Sequence, residues 1–236
     1  EENISNLLVH SGLSEICTYG FVSESDLKKC NISKDNIYSK QSIKIKNPLS
    51  EDYTMMKTTS VPSMMQMLEN NNNYKNKNVK LFDISRIYKN VNENIEKGEL
   101  PEEDTILTIG MYGEDVDFYT LKGLVENILE AANVNRYDIE RETTNESYHP
   151  GRCANLKVGI DTIATFGEVH PEVLMNYEIN KRVYLAEIHI TKIVKYSRVN
   201  KKYTEVPKFP AAERDIAVIV DEDVQVGDIE KAITKK

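Results

Sequence analysis

His149-Pro150-Gly151-Arg152 and Gly167-Glu168-Val169-His170-Pro171 bracket the segment whose reading decides the fold. Between them, Ala154, Leu156 and Val158 alternate on one arm and Ala164 and Phe166 on the other, with Gly159 to Thr162 as the turn. Period-two alternation on both sides of a short turn predicts a β-hairpin from Cys153 to Phe166 with one buried face. Such a hairpin brings two His-Pro steps, an arginine, a glutamate and a cysteine to one end. Three readings of that end are open. His149, Cys153, Glu168 and His170 are all of metal-ligand type. Glu168 with either histidine could form an acid/base pair. Alternatively, Arg152 and Glu168 form a charged pair bridging the two arms, with His149 and His170 fixing the corners, because a residue before proline is held extended. The tight ligand spacings of zinc sites are missing, and so are G-x-S-x-G, G-x-G-x-x-G, the P-loop and H-E-x-x-H. The residues therefore favour the structural corner.

Outward from the hairpin, the clearest element is a helix from Asp117 to about Asn133. Leu121, Leu124, Val125, Ile128, Leu129 and Ala132 recur at helical spacing on one face, and Asp117 is placed to cap the first turn. Strands are expected at Glu15–Phe21, Ile43–Lys46, Tyr53–Lys57, Val79–Tyr88, Thr105–Tyr112, Tyr137–Arg141 and Val183–Ile190. Ile4, Leu7 and Leu8 suggest an opening helix, and Ser23-Glu24-Ser25-Asp26 starts a helical turn. Ser60-Val61-Pro62 opens a further helix carrying Met64, Met65, Met67 and Leu68, and the run Asn70 to Asn73 reads as a solvated turn. Residues 89 to 104 read as a polar loop. Many strands, few helices and no βαβ rhythm predict an α+β fold around a mainly antiparallel sheet flanked by helices.

Lys195 to Lys208 is a charged boundary, with Pro207 and Pro210 flanking Phe209. Beyond it, a strand at Asp215–Val220 and a helix after Gly227-Asp228 are expected, a βα unit too small to bury both faces alone. The sequence is thus divided into a module over residues 1–205 and a truncated unit over 206–236. Glu at position 1 fits a piece of a longer protein.

The chain has 236 residues, with 30 Lys+Arg against 38 Asp+Glu for a net charge of −8. That balance argues against nucleic acid binding over the whole surface and leaves room for a local basic strip at Lys192, Lys195, Arg198, Lys201, Lys202 and Lys208. A solvated linker is the plain alternative for that strip. Cys17, Cys30 and Cys153 are odd in number and widely spaced, which fits a reduced, cytoplasmic setting. No apolar run approaches bilayer length. The methionines Met55, Met56, Met64, Met65 and Met67 suit either ordinary core or an adaptable partner surface.

Four segments, in order, resemble the beta subunit of bacterial phenylalanyl-tRNA synthetases. They are Asn47-Pro48-Leu49-Ser50-Glu51 running into Met55 to Ser60 and on to Leu81-Phe82-Asp83-Ile84; Asp117-Phe118-Tyr119-Thr120-Leu121-Lys122-Gly123; the His149 and Gly167 clusters; and Lys208-Phe209-Pro210-Ala211-Ala212-Glu213-Arg214-Asp215-Ile216-Ala217. The resemblance implies that residues 1–205 form a class II aminoacyl-tRNA synthetase-like module without catalytic residues. It implies that residues 206–236 open a ferredoxin-fold anticodon-binding domain. It further implies a partner, the catalytic alpha subunit, in an (αβ)₂ heterotetramer that binds ATP, magnesium and tRNA(Phe), with no cofactor or metal held by this fragment. Under that resemblance Lys57, Met64, Met65, Leu121 and Lys122 are candidate subunit contacts, and Arg198, Lys201, Lys202 and Lys208 candidate tRNA contacts. Lys57 stands where the family more often has Arg, keeping the charge and losing the planar fork of donors. A small-molecule-binding or regulatory relative of class II synthetases is the competing reading.

Overall fold

The computed structural model describes residues 1–91, 98–197, 203, 205–221 and 224–234. Two compact units divide the chain, Glu1–Ser197 and Arg198–Lys236.

The first unit is organised by strands that alternate unevenly with helices. In chain order they are α1 (Glu2–His10), β1 (Ser14–Glu15), β2 (Phe21–Val22), α2 (Glu24–Lys29), α3 (Ile37–Lys40), β3 (Ile43–Lys44), β4 (Met55–Met56) and α4 (Val61–Asn73). There follow β5 (Val79–Lys89), β6 (Glu102–Tyr112), α5 (Phe118–Ala131), β7 (Asp138–Arg141), β8 (Tyr148–Val158), β9 (Asp161–Val169), α6 (Pro171–Asn176), β10 (Tyr184–His189) and α7 (Ile190–Tyr196). Seven strands make one sheet in the order β1-β5-β6-β10-β9-β8-β7, and β2-β4-β3 make a small second sheet. The pairing is antiparallel except for β1 against β5, so the large sheet is mixed.

Each face of the large sheet has its own core. Side chains of paired residues share a face, and the register row Phe82–Ile109–Ala186–Phe166–Ala154 runs across five strands on the side covered by α1 and α5. On the opposite side Leu81, Leu185, Val169 and Cys153 pack with Met64, Met65 and Leu68 of α4. Gly110 permits that approach, since a Cβ there would lie 2.6 Å from Met64 Cγ.

α5 forms as its sequence dictates. Asp117 Oδ1 accepts the Thr120 N–H at 2.7 Å, closing a capping box, and Leu121, Leu124, Val125, Ile128 and Leu129 are buried beneath it. α2 has the same device, with Ser23 capping and Asp26 answering.

Several expectations are corrected. The run Asn70–Asn73 is the last turn of α4, not a turn beyond it; Asn71 Nδ2 donates to the Met67 carbonyl at 2.9 Å, and buried Leu68 anchors the preceding turn. Glu15–Phe21 is not one strand. Ser14–Glu15 joins the large sheet and Phe21–Val22 the small one, so the chain leaves one sheet for the other between them. Ile43–Lys46 and Tyr53–Lys57 shorten to two paired residues each. The strand expected from Thr105 begins at Glu102, carried on by the pairs Glu103↔Tyr88 and Glu102↔Lys89.

The described part of the second unit holds α8 (Val226–Thr234). Asp215–Val220 is not a strand. Ile216, Val218, Ile219 and Val220 are exposed, and no described segment pairs with them to satisfy a strand's backbone groups.

Candidate functional site

β8 and β9 form the hairpin, paired from Tyr148↔Val169 at one end to Val158↔Asp161 at the other, with an irregularity between Tyr148 and Cys153. At its open end Arg152 Nη1 donates to both Glu168 oxygens at 3.0 Å. Arg182 Nε approaches Glu168 Oε1 at 3.8 Å. Between the partners, Gly167 faces Cys153 so closely that a Cβ would lie 2.4 Å from the Arg152 carbonyl oxygen. Only glycine lets the arms close here.

The two histidines repeat one local device. His149 Nδ1 accepts the Gly151 N–H at 3.1 Å, and His170 Nδ1 accepts the Glu172 N–H at 3.2 Å, so each ring bonds the backbone two residues on, across its proline. His170 thereby caps α6.

These residues share an end of the hairpin and not a site. Tyr148, Pro150, His170 and Glu172 line a cleft of about 1100 Å³ with residues of α2 and the 143–146 loop. Arg152, Cys153 and Glu168 line a different cavity, beside α5. Among the described residues no three His, Cys, Asp or Glu side chains come together as a metal-holding set. Burial also pushes the Cys153 thiol up to about 12, which disfavours the thiolate a metal or a nucleophilic reaction would need.

The most polar part of the interior lies elsewhere and no motif announced it. The register Asp83↔Thr108↔Glu187↔Thr165↔Asn155 puts polar residues side by side across five strands, on the α4 face. Asp83 Oδ2 accepts the hydroxyls of Thr18 at 2.7 Å and Ser85 at 2.8 Å and faces Lys57 Nζ at 3.6 Å. Lys57 donates to Thr18 Oγ1 at 3.1 Å and Ser85 Oγ at 2.9 Å. Burial pushes the Lys57 ammonium below its ordinary pKa, with Asp83 opposing. Glu187 Oε1 accepts the Thr59 hydroxyl at 2.6 Å and the Ser60 N–H at 2.8 Å, tying the start of α4 to the sheet. Thr165 Oγ1 donates to Asn155 Oδ1 at 2.6 Å, and Asn155 Nδ2 donates to Glu142. Beside the row, the Tyr148 hydroxyl and, within it, the Thr108 hydroxyl are buried without a partner among the described residues.

The sequence-based contact candidates need correction. Lys57, Met64, Met65 and Leu121 are at most 1% exposed, enclosed by this chain's own cores, and offer a partner no surface. Lys122 keeps about a third of its side chain exposed while pairing with Glu126 at 2.7 Å. Of the basic strip, Lys208 is exposed, and Arg198, Lys201 and Lys202 lie outside the described residues.

The sequence that builds this sheet and its corners matches a known lineage. A family model described as the phenylalanyl tRNA synthetase beta chain CLM domain matches residues 1–190. The chain belongs to that family. Among curated relatives, the phenylalanine–tRNA ligase beta subunit of Clostridium tetani is 42% identical over all of this chain and 29% of its own length. That of Clostridium acetobutylicum is 41% identical over 99% of this chain and 29% of its own length, and that of Fusobacterium nucleatum 34% over 100% and 31%. The chain therefore spans under a third of these relatives. Among solved structures, the pyrrolysyl-tRNA synthetase of Desulfitobacterium hafniense superposes with a TM-score of 0.67 at 15% identity, covering 82% of this chain and 66% of that one. At that identity the likeness shows the fold, a class II synthetase-like sheet flanked by helices. Among the described residues, no helix is long and apolar enough to cross a membrane.

Proposed function

We propose that this chain is the part of a phenylalanine–tRNA ligase beta subunit that packs against the catalytic alpha subunit, in a cytoplasmic (αβ)₂ enzyme attaching phenylalanine to tRNA(Phe). The family match over residues 1–190, joined to relatives above 40% identity across the chain, carries this reading. ATP and magnesium supply the activation chemistry in such an enzyme. Among the described residues, the two carboxylates buried in the polar row do not suit a magnesium ion: Asp83 is committed to Lys57 and two hydroxyls, and one oxygen of Glu187 to Thr59 and Ser60. The role left to these side chains is to hold a rigid sheet and its flanking helices in shape for assembly.

Residues 206–236 are read as the opening of a ferredoxin-fold anticodon-binding domain, supported by α8 and by the segment Lys208 to Ala217. Exposed Lys208 stays a candidate tRNA contact, together with Arg198, Lys201 and Lys202. Partner contacts are to be sought on exposed faces of the first unit, Lys122 among them, since obligate interfaces bury extensive surface.

Co-expression with a bacterial alpha subunit tests the assignment. The expected result is a stable complex, with ATP binding by calorimetry in the complex and none by this chain alone. A folded chain that never co-purifies with an alpha subunit overturns it.

A further inference from the structure

A cavity of about 470 Å³ lies beside the hairpin end, lined by Arg141, Arg152, Arg182, Glu168, Asp117 and Tyr119 among others. Three arginines and two acidic residues share its lining, and two of the arginines approach Glu168. Asp117 Oδ1 is committed to the Thr120 N–H and hydroxyl, both at 2.7 Å. Glu168 lies beneath the arginines, its side chain 6% exposed against 46% for Arg152 and 67% for Arg182. Arg152 holds Glu168 through Nη1 alone, which leaves Nη2 and Nε of its half-exposed fork outside that pair. The Arg141 side chain takes part in no ion pair among the described residues.

Tyr119, on the same rim, is 76% exposed. Its ring meets Phe118 edge-on at 5.8 Å, and Phe118 stacks on buried Phe166 at 5.5 Å. The exposed ring is thus braced against the core.

We propose that this cavity binds the phosphate group of a nucleotide unit, with Arg141 and the outer donors of Arg152 and Arg182 on the phosphate oxygens and Tyr119 stacking on the base. Guanidinium forks match phosphate oxygens in geometry and charge. A braced, exposed aromatic ring beside them is a platform on which a nucleobase can stack. The chain carries −8 overall, so a convergence of arginines marks a local anion site against a repelling background. The inference stands on these residues and does not depend on the ligase reading.

The test uses the full-length protein in its assembled form, with two probes, AMP and a short single-stranded cytidine-rich RNA. Arg141→Ala and Arg182→Ala are each expected to weaken binding of at least one probe by roughly three- to tenfold. For RNA, each should also flatten the dependence of log K on log salt by about 0.7 for every phosphate no longer neutralised. Tyr119→Ala is expected to weaken the same probe about fivefold or more with the salt slope unchanged. Arg86→Ala, an exposed arginine far along β5, should change neither. A response to AMP identifies a site for free nucleotide, and a response to RNA alone a site for a strand. If neither probe responds more to the cavity variants than to Arg86→Ala, the proposal is wrong. It is equally wrong if those variants release a co-purifying subunit with both probes unmoved, because the arginines then hold an acidic protein surface.

Discussion

Two charged pairs lie on opposite faces of the large sheet, and they are built on opposite terms. On the α4 face, Lys57 and Asp83 are sealed, with side chains 1% and 4% exposed. On the α5 face, Arg152 is 46% exposed and covers a Glu168 side chain that is 6% exposed. The sealed pair is longer, at 3.6 Å, and is bridged by two hydroxyls that bond both partners. The open pair is direct, at 3.0 Å to both oxygens. Sealing a charge removes water as an alternative partner, so every donor and acceptor must be matched inside. The sealed cluster therefore serves the architecture, joining the loop before α4 to β5. The open one engages a single nitrogen of a half-exposed guanidinium.

Breaking one partner of each pair measures that difference. Lys57→Ala leaves Asp83 as an uncompensated buried carboxylate and should cost about 3–5 kcal/mol of unfolding free energy by urea titration. The double variant Lys57→Met, Asp83→Leu should recover most of that destabilisation. If the single variant costs no more than a surface substitution, the cluster is not sealed as described.

Arg152→Ala should cost less, about 1–2 kcal/mol, because water and Arg182 can reach Glu168 once the fork is gone. In an assembled ligase the variant should leave kcat for aminoacylation intact wherever the complex survives, any loss falling on KM for RNA or nucleotide. Selective loss of catalysis from a stable, assembled variant would place the pair in the chemistry, against the present view.

Periodicity made α5 and the β8–β9 hairpin legible, because in both the apolar spacing, the cap and the turn residues point to the same local structure. The Arg152–Glu168 pair was also legible, since a short turn sets the register of both arms. The Lys57 cluster was not. Its members are Thr18, Lys57, Asp83 and Ser85, and only the β5 register and the crossing between two sheets bring them together. The polar row has the same origin: Asn155 and Thr165 pair within the hairpin, and their alignment with Glu187, Thr108 and Asp83 depends on pairing between distant segments. The methionines of α4 showed their helix but not its setting, because a buried apolar face and a partner-binding face share one spacing. The Asn70–Asn73 run misled for a related reason. Asparagine favours turns in isolation, and here the tertiary anchoring of Leu68 carries the helix through it.

The smallest expected effect lies at the exposed start of α5, where the same face meets solvent most freely. The Thr120 hydroxyl, followed by its N–H, holds the Asp117 carboxyl below the ordinary aspartate range. A carboxyl whose pKa is depressed in the folded state adds stability that is fully present above its unfolded value. That stability is lost as pH falls through the folded one. Asp117→Asn keeps an oxygen to accept the Thr120 N–H and removes the titration. The parent should therefore be the more stable of the two near neutral pH, and the gap should close as pH falls through the ordinary aspartate range and below it. Urea titrations across that range decide it. Parallel pH profiles would mean that the cap acts through hydrogen bonding alone, and that even the open face of the sheet gains nothing from charge at the helix start.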